Sequence, residues 1–170
     1  NIDSMDSKKA LDKYIEILCS GDLKKYAGDK QAEAMFYISE MSEKGINNMN
    51  KNKKIIGDNY KYKIINVKET GNNSEITMDV EYETINSQSP QLGEIFVSLA
   101  FQHGKQWFEN SPKEEIVDEV MTKYTDFLIV KRTIKVNMKK QNGYWNVDLN
   151  ENGDFIDSLY SHGDLYFWHD

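Results

Sequence analysis

Arginine is almost missing from this chain: of its 21 cationic residues, Arg132 alone carries a guanidinium. The net charge is -7. Proteins that read nucleic acid use clustered positive charge and arginine forks, so nucleic acid is not an expected partner. The acidic balance favours solubility. Cysteine is reduced to Cys19, which rules out an intrachain disulfide and a cysteine-based metal cluster. Cys19 ends a helical pattern in ILCSGD with no activating base close in sequence. That is the setting of a small apolar residue, not of a reactive thiol. No apolar run approaches the roughly 18 residues that cross a bilayer. Also missing are a Ser-His-Asp grouping, a phosphate loop and a dinucleotide fingerprint, so no cofactor is expected.

What is present is an ordinary globular composition. The chain has 170 residues, 39% of them hydrophobic and 12% aromatic, enough to bury a real core. No repeat, low-complexity tract or linker interrupts it, and residues 1–170 read as a single domain. It opens Asn-Ile-Asp-Ser without a methionine. That reads as a processed or trimmed product whose targeting segment is out of view.

Hydrophobic spacing divides the chain into helical and extended parts. Leu11, Tyr14, Ile15 and Leu18 predict an amphipathic helix over about 5–19, which Gly21 stops. Asp22 is placed to cap a short second helix carrying Leu23 and Tyr26. Ala32, Met35, Phe36, Ile38 and Met41 predict one third helix from about Asp29 to Lys44, closed by Gly45. The polar run 46–54 reads as a frayed end or a loop. The period then becomes two. Tyr60, Tyr62 and Ile64 start a strand, TGNNS (70–74) is turn chemistry, and Ile76, Met78, Val80 and Tyr82 form the greasy face of the return strand. Helical spacing resumes at Gln91 and runs through Leu92, Ile95, Phe96 and Leu99 to near Trp107. SPKEE (111–115) predicts a new helix start, with Ser111 as cap and Pro112 in the first turn. FLIVKRTIKVNMKK (127–140) is the longest strand. Asn142-Gly143 suits a tight hairpin, and Trp145, Val147 and Leu149 share one face of the return strand. A short helix over 153–161 completes the order.

Helices segregated from antiparallel strands define an α+β fold. The segment GDLKKY after the first helix, two hairpins split by helices, and NGYWNVDLNENGDFIDSL near the end together resemble the NTF2-like (cystatin-like) fold. More narrowly, they are similar to small lipoproteins of low-GC Gram-positive bacteria, a family of unknown function. The resemblance implies a cone: a curved antiparallel sheet of about four strands, covered by N-terminal and mid-chain helices. It also implies a lipid-bearing cysteine upstream of Asn1 and attachment to the outer face of the cell membrane. Relatives of this fold often dimerise through the sheet. Here the outer face (Lys61, Lys63, Thr77, Glu81, Lys135, Asn137) is too charged for a dry interface.

The candidate sites divide by the chemistry they could carry. DLNENGDF (148–155) places Asp148, Asn150, Asn152 and Asp154 like early ligands of a calcium loop. The twelfth position, where a bidentate acid belongs, is Leu159. The competing reading is a strand-to-helix turn in which Asn152 or Asp154 caps the helix. His162 and His169 bracket an aromatic tail (Tyr166, Phe167, Trp168), a poor start for the three or four converging ligands of a zinc site. Arg132 stands alone among apolar neighbours, as an anion-binding fork or as a structural partner of a helix carboxylate such as Glu40 or Glu43. Enzymes on this fold hold an acid–base residue in an apolar cavity, yet the inward phase of the strands carries no carboxylate or imidazole. A non-catalytic surface domain binding a ligand or envelope protein through Arg132, His103 and Tyr82 is therefore the first reading. An isomerase or hydrolase using a cavity histidine or tyrosine is the alternative.

Overall fold

The computed structural model describes residues 5–51 and 59–161. Four strands form one curved antiparallel sheet in the order β1-β2-β3-β4: Lys61–Thr70, Asn73–Ile85, Phe127–Gln141 and Tyr144–Val147. The α+β class is thus the observed one. The period-two pattern does what it should: Ile76, Met78, Val80 and Tyr82 are buried on the inner face, opposite Val136, Ile134, Arg132 and Val130. In β1 the register slips between Ile64 and Asn66, leaving Ile65 as an exposed extra residue. The bulge returns Val67 to the inner face opposite Ile76. Asn142 and Gly143 both take positive φ (53° and 84°) in the predicted hairpin, the geometry of a type I′ turn.

Among the described residues the α-helices are α1 (Ser7–Ser20), α2 (Lys30–Phe36), α3 (Glu43–Asn50), α4 (Gln91–His103), α5 (Lys105–Asn110), α6 (Lys113–Lys123) and α7 (Gly153–Leu159). Asp6 caps α1 through the Lys9 N–H at 2.8 Å, and Gly21 ends it at φ 68°. Its buried stripe (Ala10, Leu11, Tyr14, Ile15, Leu18) packs with the inner strand face, Trp145, Phe155 and Leu159 into the main core. α2 lies on β4, and α7 packs on β2 and β3. The mid-chain helices build a second, smaller cluster of their own. Ile95, Leu99, Val120 and Tyr124 are its buried centre, and Ile85 and Phe127, at the strand ends, join it.

Several boundaries differ from the periodicity. The expected helix 29–44 is broken in two. Tyr37 adopts φ 53°, a 3₁₀ turn follows (Ile38–Glu40), and Ser42 caps α3 through the Gly45 N–H. Gly45 therefore begins a helix, and the run expected as loop is helical to Asn50. The cause is local side-chain bonding: the Glu33 carboxylate accepts from both the N–H and the hydroxyl of Ser39 at 2.8 Å and draws the chain into the kink. Asp22 precedes a 3₁₀ turn (Leu23–Tyr26) without capping it, and the Leu23 N–H goes to the Asn50 side chain at 2.8 Å. Gly104, at φ 83°, divides α4 from α5. Pro112, not Ser111, stands at the start of α6, and no side chain caps it. Leu149 is exposed in a 3₁₀ turn beyond β4. Cys19 packs half-buried against the main core.

Candidate functional site

Strands β2 and β3 run farther than their helical cover. At that end the inner face carries Tyr82 opposite Val130, then Thr84 opposite Leu128, which is exposed. Helix α7 closes one side. It is held tightly: Phe155 and Leu159 are buried, and the Ser158 and Tyr60 hydroxyls meet at 3.1 Å. Between strand ends and helix lies a recess of about 440 Å³, lined by Tyr82, Thr84, Arg132, Ile156, Asp157, Tyr160 and Ser161.

Arg132 sits on the inner face opposite Val80, with its side chain 36% exposed. One guanidinium nitrogen, Nη2, lies 3.1 Å from Asp154 Oδ1, and Nη1 donates a long bond to the Tyr82 hydroxyl at 3.4 Å. Those two bonds, led by Tyr82, raise the guanidinium pKa further above its already high value. Tyr82 is only 6% exposed, so its ring belongs to the core and its hydroxyl to the recess wall. Ser161 is equally buried, and its hydroxyl has no hydrogen-bond partner. An unmet buried hydroxyl costs about 1–3 kcal/mol.

The structure brings Arg132 and Tyr82 together and leaves His103 elsewhere. His103 ends α4 in the smaller cluster, stacked on Trp107 with ring centroids 4.1 Å apart. Its Nε2 is buried, lacks a hydrogen bond, and lies 3.6 Å from the Glu119 carboxylate. The structural partner of Arg132 is Asp154, on α7; Glu40 and Glu43, the carboxylates expected from the sequence, do not hold it. Two phenol–carboxylate pairs occur outside the recess. Tyr62 donates to Asp12 at 2.8 Å and Tyr26 to Glu16 at 3.0 Å. Burial, and then the Asp12 carboxylate, push the Tyr62 phenol well above its ordinary range.

The 148–155 segment is fully engaged as a turn. Asp148 accepts from the Asn150 N–H at 2.9 Å. The Asn152 side chain is turned onto β3: its oxygen accepts from the Asn137 N–H at 2.8 Å, and its amide donates to the Asn137 and Asp148 carbonyls at 3.0 and 2.7 Å. It does not cap α7, contrary to the turn reading, because both ends of its amide are already used. Asp154 is taken by Arg132. Among the described residues no group of three or more His, Cys, Asp or Glu converges. His162, His169 and the aromatic tail lie outside the described residues.

Thr84, Asp157, Tyr160 and Ser161 escaped the sequence reading. Thr84 could have been found, since it follows Tyr82 in the same strand phase. Tyr160 stands four residues after Ile156 and Ser161 four after Asp157, both within the helix expected over 153–161.

The chain matches no protein-family model, and no curated protein matches it in sequence. Among solved structures it resembles a lipoprotein candidate (ycdA) from Bacillus subtilis subsp. subtilis str. 168, with a TM-score of 0.52 at 16% identity. The likeness covers 92% of this chain and 56% of that one. The two share a fold; this chain spans little more than half the length of the other. Among the described residues no helix is long and apolar enough to cross a membrane.

Proposed function

We propose that this chain is the non-catalytic domain of a surface lipoprotein with an NTF2-like cone. A lipid on a cysteine upstream of Asn1 would hold it at the outer face of a Gram-positive cell membrane. There it binds a ligand or envelope partner in the recess between Tyr82, Arg132 and α7. The observation that carries the reading is the pairing inside the recess. The Tyr82 hydroxyl receives a hydrogen bond from Arg132, whose charge is balanced by Asp154. This is a fixed, charge-compensated surface that holds a molecule without moving protons. The likeness to a lipoprotein candidate supports the address. The enzyme alternative has less support. His103 stacks on Trp107 in the other cluster, and burial keeps the phenols of Tyr62 and Tyr160 protonated, so they make poor bases at neutral pH.

Two measurements test this. The protein, expressed with its natural upstream sequence in its own bacterium and fed azide-bearing palmitate, should carry the label in the membrane fraction. It should also be degraded by protease added to intact cells. An unlabelled, protected product would overturn the address. For the site, amide spectra of the ¹⁵N chain should respond to a muramidase-solubilised wall digest at Tyr82–Thr84 and Asp157–Ser161. A response confined to other regions would move the site.

A further inference from the structure

The recess is rich in hydrogen-bonding groups that the protein itself leaves unused. Six of its seven lining residues are polar, Ile156 being the exception. Among the described residues, the side chains of Thr84, Asp157 and Tyr160 make no hydrogen bond, and the buried Ser161 hydroxyl makes none either. Two hydroxyls (Thr84, Tyr160) and one carboxylate (Asp157) thus line one volume of about 440 Å³, within the roughly 300–1,000 Å³ of small-molecule pockets, while the Ser161 hydroxyl lies sealed behind its wall.

The charges decide what that volume accepts. Arg132 already faces Asp154 at 3.1 Å, so its positive charge is spent within the protein. A bound anion would have to share the Arg132 charge with Asp154 and lie beside Asp157. A bound cation would lie beside the guanidinium. Either approach sacrifices an existing interaction or incurs an unpaired charge. A neutral molecule meets neither penalty. Hydroxyl groups both donate and accept, so they suit a lining that offers donors (the rest of the Arg132 fork), acceptors (Asp157) and two-way groups (Thr84, Tyr160).

The geometry points to an uncharged, polyhydroxylated ligand of the carbohydrate class. Asp157 accepts from its hydroxyls, Arg132 donates to them, and Thr84 and Tyr160 do either. This rests on the recess being the binding site proposed above.

The test titrates the ¹⁵N chain with chitotriose and with maltotriose, beside acetate and inorganic phosphate at equal concentration. At least one sugar should give saturable shifts at the amides of Tyr82–Thr84 and Asp157–Ser161. Thr84→Val should weaken that sugar about 3- to 10-fold, the worth of one neutral hydrogen bond. Its melting temperature should stay equal, because the Thr84 hydroxyl makes no bond among the described residues. A residue with a merely structural role would not separate the two readouts. Unchanged sugar affinity in Thr84→Val overturns the inference. So does a response to the anions alone, which leaves the recess standing as a site for another class. If the wall digest moves these amides and neither sugar does, the carbohydrate assignment falls and the binding site survives. If nothing moves them, both fall.

Discussion

Gln31 gives the sharpest test of how the sheet is finished. β4 is a short edge strand, and its free side would leave Trp145 with a bare N–H and C=O. Gln31, on α2, closes both: its amide nitrogen donates to the Trp145 carbonyl at 2.8 Å, and its oxygen accepts from the Trp145 N–H at 3.3 Å. Trp145 is 1% exposed and Gln31 nearly as buried, so water does not serve these groups in the native fold. Gln31→Ala strands one donor and one acceptor. At about 1–3 kcal/mol for each unmet buried group, the loss should be about 2–6 kcal/mol. For a chain of this size that corresponds to a fall in melting temperature of roughly 4–24 °C. Gln31→Glu sharpens the test. It keeps the acceptor but sets a carboxylate oxygen against the Trp145 carbonyl, which favours the protonated acid. Its folded-state pKa is therefore raised above the unfolded one. The variant should be closest to wild type in acid and should lose ground as pH rises through the raised value. Urea melts followed by tryptophan fluorescence at several pH values measure both variants. The reasoning is refuted if Gln31→Ala stays within about 0.5 kcal/mol of wild type, the range of an ordinary surface substitution.

Other outcomes follow from the same bonds. Burial works against ionised Asp29, yet the Lys13 ammonium and the Ala32 N–H bring its pKa below the ordinary 3.8. A depressed carboxyl stabilises above its unfolded value and loses that contribution as pH falls through the folded one. Asn caps as well as Asp, so Asp29→Asn should be less stable than wild type at neutral pH. The gap in urea midpoint should close below pH 3.8; a gap independent of pH would refute the pairing. Burial raises the phenols of Tyr14, Tyr60, Tyr62 and Tyr160, with Tyr60 pushed up to about 12. Groups raised in the fold stabilise it below pH 10 and lose that contribution as pH climbs through the raised values. Absorbance at 295 nm should therefore show part of the ten tyrosines ionising only as the protein unfolds. Asn152→Asp replaces an amide that donates to two carbonyls with a carboxylate facing them. It should destabilise by about 2 kcal/mol or more, and added calcium should not restore the loss; calcium rescue in thermal melts would revive the ion-loop reading.

The sheet could be read from the sequence because its information is periodic. Ile76, Met78, Val80 and Tyr82 alternate with charged or hydroxyl residues, and burial follows that alternation residue by residue. The Asn-Gly hairpin was equally plain, because its backbone geometry suits few other pairs. The break at Tyr37 was not, since the Glu33–Ser39 bonds that make it leave no trace in hydrophobic spacing. The site was half legible. Arg132 and Tyr82 stand out as polar groups in an apolar phase. That Asp154 would be the partner, and that His103 would belong to a separate cluster, depends on how α7 and α4 are carried around the sheet. No local pattern encodes that.

Ile85 and Phe127 are anchored in the smaller helical cluster; of their immediate chain neighbours, Thr84 lines the recess and Leu128 is its partner across the strand pair. Grip and rim are therefore consecutive links of the same two strands. A partner that seizes the three-helix excursion pulls on the rim through covalent backbone, with no sliding surface between to absorb the displacement.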